Sequence, residues 1–136
     1  MTALDTAWQF AADEIDPPAS RLRRYYDDPV GFARECVDWR GSPGLAGYQE
    51  ETLAALTTAK RVSSRGPHGL GKTMEKAVAV LWFALTRDDA GVDWKCPTTA
   101  SAWRQLEHYL WPEIHKWARR VRWDIVGRAP FDERKE

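Results

Sequence analysis

The chain has 136 residues, a length that suits one domain with a hydrophobic core. Its composition, 43% hydrophobic and 29% charged, excludes a disordered chain, and 20 Lys+Arg against 20 Asp+Glu leave no net charge that would argue for nucleic-acid binding. The cysteines are too few for a disulfide framework and the longest apolar run, AVAVLWFAL, is too short to span a bilayer. We therefore expect a soluble, cytoplasmic protein with no membrane partner.

The first half of the chain predicts an adaptor segment and two helices. Residues 1–24 are interpreted as an N-terminal adaptor segment, which is acidic up to DPPAS at residue 20. The RLRRYY cluster after DPPAS, residues 21–26, is either a solvated helix face or a phosphate-contacting patch. A helix is predicted over 27–40, because Asp28 can cap its free N–H groups and Pro29 stands where no N–H is needed. An amphipathic helix is predicted over 45–60.

The second half predicts strands alternating with helices. KRVSSR at 60–65 is interpreted as a short strand before a glycine-rich loop, and GVDWKC at 91–96 alternates apolar and polar residues as a strand does. Between them, residues 73–87 form a helix that is apolar almost all round and should be buried against a sheet. A long helix after PTTAS should kink or restart at Pro112. This order predicts an α/β fold.

The stretch RGPHGLGKT, residues 65–73, has the spacing G-x-x-x-x-G-K-T of a phosphate-binding loop, or Walker A motif. Glycines let the backbone curl and aim its N–H groups at a β-phosphate. Lys72 would reach between the β- and γ-phosphates, the Thr73 hydroxyl would hold Mg²⁺, and the helix that begins near Gly71 adds its positive end. The loop predicts nucleotide binding; the alternative is a glycine turn that binds nothing.

Residues upstream of the loop support this prediction. Tyr48 could stack on adenine, and the Gln49 amide supplies both a donor and an acceptor for the edge of the base. Tyr48 also belongs to the apolar stripe of its helix, so ordinary packing is the alternative. The eight tryptophans are interpreted as helix-packing anchors, with base stacking as the alternative. The histidines have no zinc-ligand spacing.

Four stretches, in order, resemble the start of a phage terminase large subunit, the motor that packages double-stranded DNA into a procapsid. They are DDPVGFARECVDW, YQEETL, RGPHGLGKT and WKCPTTASAWRQLEHYLWPEIHKWA. The resemblance covers roughly residues 25–131 and leaves a polar tail at 132–136. It implies an α/β fold, an incomplete RecA-like P-loop NTPase unit in which helices flank a small, mostly parallel sheet.

The same resemblance implies ATP and Mg²⁺ as cofactors. The residues implied to cradle them are Gly66, Pro67, His68, Gly69, Leu70, Gly71, Lys72 and Thr73, with Thr73 as the Mg²⁺ ligand. Gln49, next to Tyr48, would read adenine. Lys72 and Arg65 would be the catalytic residues, Arg65 by sensing the γ-phosphate.

A second implied group lies after the GVDWKC segment. Its members would stand where related motors couple the nucleotide to DNA, and they are Thr98, Thr99 and Ser101, assisted by Arg104 and Gln105. Ordinary helix capping by the hydroxyl groups is the alternative.

The hydrolytic carboxylates of such an ATPase are missing from the pattern. An apolar strand should end in an Asp for Mg²⁺, followed by a Glu that orients the attacking water. Asp132-Glu133 is the downstream pair of that form, but Pro130 cannot stand in a central strand. We therefore expect truncation before these carboxylates, poor hydrolysis by this chain alone, and self-association through an unpaired sheet edge.

The function that the sequence predicts is the ATP-binding portion of a viral DNA-packaging motor. Double-stranded DNA, a portal and a small terminase subunit are partners implied by the resemblance alone. One alternative is a stand-alone, non-catalytic remnant or satellite protein that binds a packaging partner. Another is a different P-loop enzyme, such as a small kinase.

Overall fold

The structure is a computed structural model that describes residues 20–67 and 69–130. Its helices are α1 (Ser20–Arg23), α2 (Pro29–Cys36), α3 (Gly47–Thr58), α4 (Lys72–Asp89), α5 (Trp103–Gln105), a π-helix (Leu106–Leu110), α6 (Trp111–Ala118) and α7 (Trp123–Val126). Most of the predicted adaptor, His68, the Asp132-Glu133 pair and the polar tail lie outside the described residues. Among the described helices, none combines the length and the apolar character needed to cross a membrane.

The predicted α/β fold is wrong for the described residues, which are helical and contain no sheet. Their β-pairing is one isolated antiparallel bridge, between Val37 and Val121. The segments 60–65 and 91–96, predicted as strands, run without regular structure, and the first is exposed throughout. A strand needs a neighbour for its N–H and C=O groups, and water takes that place for an exposed segment. The described residues therefore form neither a RecA-like sheet nor the unpaired sheet edge expected to drive self-association.

Helix α4 forms the centre of the fold. Ala77, Val78, Leu81 and Leu85 are buried along it, and α1, α2, α3 and α6 pack around it. Removing a leucine-sized side chain from water contributes about 1.5–3 kcal/mol, so this helix gathers much of the apolar stabilisation of the chain. The prediction that this helix is buried is confirmed, but helices cover its apolar surface where a sheet was expected.

Helix α2 begins as its sequence predicts. The Asp28 side chain accepts a hydrogen bond from the Gly31 amide at 2.9 Å, and Pro29 stands at the start of the helix. The helix ends at Cys36, earlier than residue 40, because the chain then turns to meet Val121. There the Arg122 amide donates to the Cys36 carbonyl at 2.7 Å. This bridge ties the end of α2 to the start of α7.

Several tryptophans anchor the helix packing through both the ring and the indole N–H. Trp82 donates to the Tyr25 carbonyl at 2.6 Å and so joins α4 to the turn after α1. Trp39 donates to the Ala33 carbonyl at 2.7 Å, and its ring centroid lies 4.9 Å from that of Trp117. These indoles have the packing role that the sequence predicts.

The predicted long helix contains a π-helix just before Pro112. The Trp111 amide donates to the Leu106 carbonyl, five residues back, which is the wider turn of a π-helix. Pro112 follows as the second residue of α6, inside a helical run that continues from Trp103 to Ala118, so it cannot donate a hydrogen bond to the preceding turn. The expected restart therefore takes the form of a π-helix that leads into α6. Both the π-helix and α6 pack against α4.

Candidate functional site

The glycine-rich loop leads directly into α4 through backbone that only glycine adopts easily. Gly69 has a φ of +87° and Gly71 a φ of +74°, both in the left-handed region. A Cβ atom on Gly71 would lie 2.8 Å from the Gln49 side-chain nitrogen, and one on Gly66 would lie 2.9 Å from Leu70 Cδ1. The loop thus needs glycine for its conformation at Gly69 and Gly71, and Gly71 also leaves room for the Gln49 side chain.

The first turn of α4 supplies a set of backbone donors. Gly71 is the residue that caps the helix, and the Glu75 amide donates to its carbonyl at 3.0 Å. The N–H groups of Lys72, Thr73 and Met74 precede this bond, so the helix geometry gives them no acceptor within α4. They stand at the positive end of the helix dipole, which favours anions.

Lys72 and Thr73 occupy the positions that the motif predicts. The Lys72 ammonium donates to the Gly66 carbonyl across the loop, so this side chain folds over the loop at its entrance. Thr73 is exposed, one residue into α4. A lysine and a hydroxyl placed side by side at a helix start suit a phosphate group and a phosphate-bound Mg²⁺.

Helix α3 holds the last part of the loop. The Tyr48 hydroxyl donates to the Leu70 carbonyl at 2.7 Å, and Gln49 Nε2 lies 3.2 Å from the same oxygen and 3.5 Å from the Gly71 carbonyl. Gln49 Oε1 accepts a hydrogen bond from the Ala46 amide at 2.9 Å. The structure thus brings together Tyr48, Gln49 and the loop, as the sequence suggests. That Gln49 reads adenine stays a prediction.

A cavity of about 490 Å³ opens beside the loop. Residues 69–74 line one side of it, and the π-helix with α6 lines the other, through His108, Tyr109, Pro112, Glu113 and Lys116. The volume lies within the range of small-molecule sites. The sequence interpretation missed this facing wall. Its signal was the i, i+4, i+7 spacing of Tyr109, Glu113 and Lys116, which places them on one helix face.

The facing wall carries charges of both signs. Glu113 Oε1 accepts a hydrogen bond from the Trp117 indole at 2.8 Å and lies 3.6 Å from the Lys116 ammonium. The carboxylate of Glu113 is therefore held within α6 by these neighbours. Lys116, with half of its side chain exposed, adds a positive charge to the cavity opposite the loop.

A buried carboxyl group lies one turn behind the loop. Glu75 has 5% of its surface exposed. Burial raises its pKa, while a hydrogen bond with Thr52 and the charge of Lys76 act in the opposite direction. A raised pKa means that this carboxyl group keeps its proton to higher pH than an exposed glutamate does.

Arg65 and Pro67 stand on the exposed segment before the loop, and they are not among the described residues that line the cavity. Arg65 therefore directly precedes the loop in the sequence, but its side chain is not part of the cavity beside the loop. A role for Arg65 in sensing the γ-phosphate stays a prediction.

The second predicted group lies elsewhere. Thr98 lines a separate, mostly apolar cavity of about 410 Å³ between α4 and α6. Thr99, Ser101, Arg104 and Gln105 are exposed, and Ser101 Oγ lies 3.3 Å from Gln105 Oε1. None of these described residues lines the cavity beside the loop. A coupling role for them stays a prediction.

The described residues contain no cluster of three or more His, Cys, Asp and Glu side chains that could hold a metal ion. A Mg²⁺ ion carried on nucleotide phosphates needs only one or two protein oxygens. The exposed Thr73 hydroxyl, at the edge of the cavity, fits that requirement.

Comparison of the chain with protein-family models, with curated protein sequences and with solved structures finds no match. No family is therefore assigned to the chain. The loop, its helix and the cavity beside it are the features that support a function.

Proposed function

We propose that this chain binds a nucleoside triphosphate, such as ATP, together with Mg²⁺ through residues 66–73. The observation that carries this proposal is the loop itself. Two left-handed glycines lead it into a helix of 18 residues, with Lys72 as the first helical residue, and the loop lines a cavity of about 490 Å³. Each of these features suits a polyphosphate.

Each group at the loop has a distinct task in this proposal. The first-turn amides of α4 donate to phosphate oxygens, and Lys72 leaves the Gly66 carbonyl to neutralise charge between the β- and γ-phosphates. The Thr73 hydroxyl holds Mg²⁺, which neutralises phosphate charge when bound. Lys116 lies on the facing wall, 3.6 Å from the Glu113 carboxylate, so this pair puts a positive and a negative charge on the other side of the cavity.

The larger role that we propose is the ATP-binding portion of a terminase-like, DNA-packaging motor in the host cytoplasm. The four stretches that resemble a phage terminase large subunit support it, since the loop stands among them in the same order. Double-stranded DNA, a portal and a small terminase subunit would be its partners. Arg65, just before the loop, would sense the γ-phosphate in that setting.

We expect this chain to bind nucleotide without appreciable hydrolysis. Glu113 is the one acidic residue among the described residues that line the cavity, and its Oε1 accepts the Trp117 indole N–H and lies 3.6 Å from the Lys116 ammonium. Hydrolysis by an ATPase of this kind needs two carboxylates, an Asp for Mg²⁺ and a Glu that orients the attacking water. Steady turnover of ATP that depends on Lys72 would contradict this expectation.

The test is a titration with ATP·Mg²⁺ followed by tryptophan fluorescence. Trp117 is a suitable reporter, because its indole donates to Glu113 on the cavity wall. Wild type should bind saturably, and Lys72→Ala should weaken binding at least about tenfold, a loss of about 1.4 kcal/mol. Lys76→Ala is the matched control, since it removes the same charge from an exposed position in α4.

Equal affinity of wild type and Lys72→Ala would contradict the proposal, as would the absence of saturable binding. In either case the non-catalytic alternative, a protein that binds a packaging partner, would become the better interpretation. Lys76→Ala should bind like wild type. This result would show that the effect of Lys72→Ala comes from the position of Lys72 and not from the loss of a positive charge alone.

A further inference from the structure

We propose that Tyr48 and Gln49 are positioning residues of the phosphate loop, and that the site consequently recognises the polyphosphate of its ligand rather than the base. This inference rests on the proposed nucleotide binding. It replaces the expectation that Gln49 reads adenine with a role in orienting backbone N–H groups toward the phosphates. ATP, GTP and inorganic tripolyphosphate should then bind with similar affinity.

The first argument is that the Gln49 amide is fully engaged inside the protein. The residue has 4% of its surface exposed. Its oxygen accepts a hydrogen bond from the Ala46 amide at 2.9 Å, and its nitrogen lies 3.2 Å and 3.5 Å from the Leu70 and Gly71 carbonyl oxygens. Recognition of a base edge requires an exposed donor beside an exposed acceptor. Gln49 offers neither while these hydrogen bonds are intact.

The second argument concerns the Leu70 carbonyl, where two side chains of α3 converge. The Tyr48 hydroxyl donates to this oxygen at 2.7 Å, and Gln49 Nε2 donates to it at 3.2 Å. A carbonyl oxygen has two lone pairs, so both are used by α3. The Tyr48 hydroxyl is thus committed to the loop, and its ring is held in place by that bond.

The third argument follows from the planarity of the peptide group. In a trans peptide the N–H group points away from the carbonyl of the preceding residue. Since Tyr48 and Gln49 hold the Leu70 carbonyl toward α3, the N–H group of Gly71 points away from α3, while the Gly71 carbonyl is held within α4 by the Glu75 amide at 3.0 Å. Gly71 and Lys72 both line the cavity beside the loop. Tyr48 and Gln49 therefore orient the Gly71 N–H group, beside the first-turn N–H groups that α4 itself orients.

The fourth argument is that this arrangement is built on packed elements. Gln49 also caps the start of α3, through its bond with the Ala46 amide, and Leu53, one turn later, is fully buried. Gly71 leaves the room that the Gln49 side chain occupies, because a Cβ there would lie 2.8 Å from Nε2. Rigid support of this kind is what a preorganised anion site requires.

The experiment measures dissociation constants of the whole chain for Mg·ATP, Mg·GTP and inorganic tripolyphosphate by calorimetry. For wild type we expect the three values to agree within about threefold, well below the tenfold that corresponds to 1.4 kcal/mol. Gln49→Ala should weaken all three by a common factor of about ten. A loss confined to ATP would show base recognition and would overturn the inference.

Tyr48→Phe keeps the fold testable, because it removes one hydroxyl from a half-exposed residue and keeps the ring. A positioning role predicts a common loss of affinity for all three probes with an unchanged unfolding temperature. A stacking role predicts unchanged affinity, because the ring remains. Unchanged affinity would overturn the inference, whether or not the unfolding temperature falls. Thr57→Ala, which removes an exposed hydroxyl that bonds within α3, is the control.

Lys72→Ala separates the two levels of the proposal. Suppose that ATP binding depends on Lys72, and that Gln49→Ala loses affinity for ATP but still binds GTP and tripolyphosphate. This result would refute only the positioning role and would leave nucleotide binding intact. Failure of wild type to bind any of the three probes would refute nucleotide binding itself, and the inference with it.

Discussion

Gly71 is the residue at which the loop, α3 and α4 meet. Its φ of +74° lies in the left-handed region, and a Cβ would stand 2.8 Å from Gln49 Nε2. We expect Gly71→Ala to lower the free energy of unfolding by about 1–2 kcal/mol from the backbone alone, and to weaken nucleotide binding by displacing Gln49. Urea unfolding and the ATP titration would measure the two effects.

Gly47→Ala is the control for this substitution. Gly47 is the first residue of α3, and a Cβ there would meet no atom within 4 Å. It should be neutral or stabilising by up to about 1 kcal/mol, since alanine favours a helix. Equal effects of the two substitutions on stability and binding would contradict the role given to Gly71.

Glu75 makes stability depend on pH. Burial raises its pKa, against a hydrogen bond with Thr52 and the charge of Lys76, so the folded state holds the proton to higher pH than the unfolded chain does. Its contribution to stability is full below the unfolded pKa and is lost as pH rises through the folded pKa. Glu75→Gln, which stays neutral, should therefore gain stability relative to wild type as pH rises above the ordinary glutamate pKa and through the raised pKa of the folded state.

The measurement is the unfolding temperature of both proteins at several pH values. Glu51→Gln, at an exposed position on α3, is the control and should not show this dependence. A stability difference between Glu75→Gln and wild type that stays constant with pH would contradict the assignment.

At the scale of the element, the capping of α2 is local and can be tested on its own. Asp28 accepts a hydrogen bond from the Gly31 amide at 2.9 Å. Asp28→Ala should cost about 1 kcal/mol of unfolding free energy, and Asp28→Asn should restore most of it. Nucleotide affinity should not change, because α2 does not line the cavity. A loss of affinity in Asp28→Ala at unchanged folding would show coupling between the two regions.

The elements that the sequence predicted correctly depend on neighbouring residues. The cap at Asp28 with Pro29 and the start of α4 after Gly71 follow from backbone chemistry within a few positions. At Pro112 the helical run continues, with a π-helix just before the proline in place of a break. The residues of the loop could be predicted from the sequence for the same reason, because the motif lies within nine consecutive residues. The side chains that hold it, Tyr48 and Gln49, were identified, but the use of their hydrogen-bonding groups depends on a contact more than 20 residues away.

The predicted strands fail because pairing is not local. The segment 91–96 keeps part of the alternation that suggested a strand: Trp94 and Cys96 are half-buried and Asp93 and Lys95 are exposed, but Val92 is exposed as well. Trp94 packs on α4, where its ring centroid lies 6.4 Å from that of Phe83. Alternation therefore defined which side of the segment faces the protein. It carried no information about whether a second strand lies beside it.

The facing wall of the cavity could not be read from the sequence for a related reason. Glu113 and Lys116 reach the loop only because α6 packs along α4, and this contact joins residues far apart in the chain. Helical spacing places such residues on one face of a helix, but the neighbour of that face is decided by the tertiary fold.

For the whole molecule, α4 connects the site to the core. Its first turn belongs to the loop, and its buried residues from Ala77 to Leu85 hold the other helices. A ligand that binds only the folded chain stabilises it by about 2.7 kcal/mol at a free concentration one hundred times its dissociation constant. We expect ATP·Mg²⁺ to raise the unfolding temperature of wild type and of Lys76→Ala. An equal rise in Lys72→Ala would place the ligand elsewhere.

The measurement that tests phosphate binding most directly is a phosphorus-31 NMR spectrum of Mg·ATP with increasing amounts of the folded chain. If residues 66–73 cradle the polyphosphate, the β- and γ-phosphorus resonances should shift or broaden saturably with wild type and with Lys76→Ala, and should stay unchanged with Lys72→Ala. Unchanged resonances with folded wild type, or equal changes with Lys72→Ala, would contradict the phosphate site.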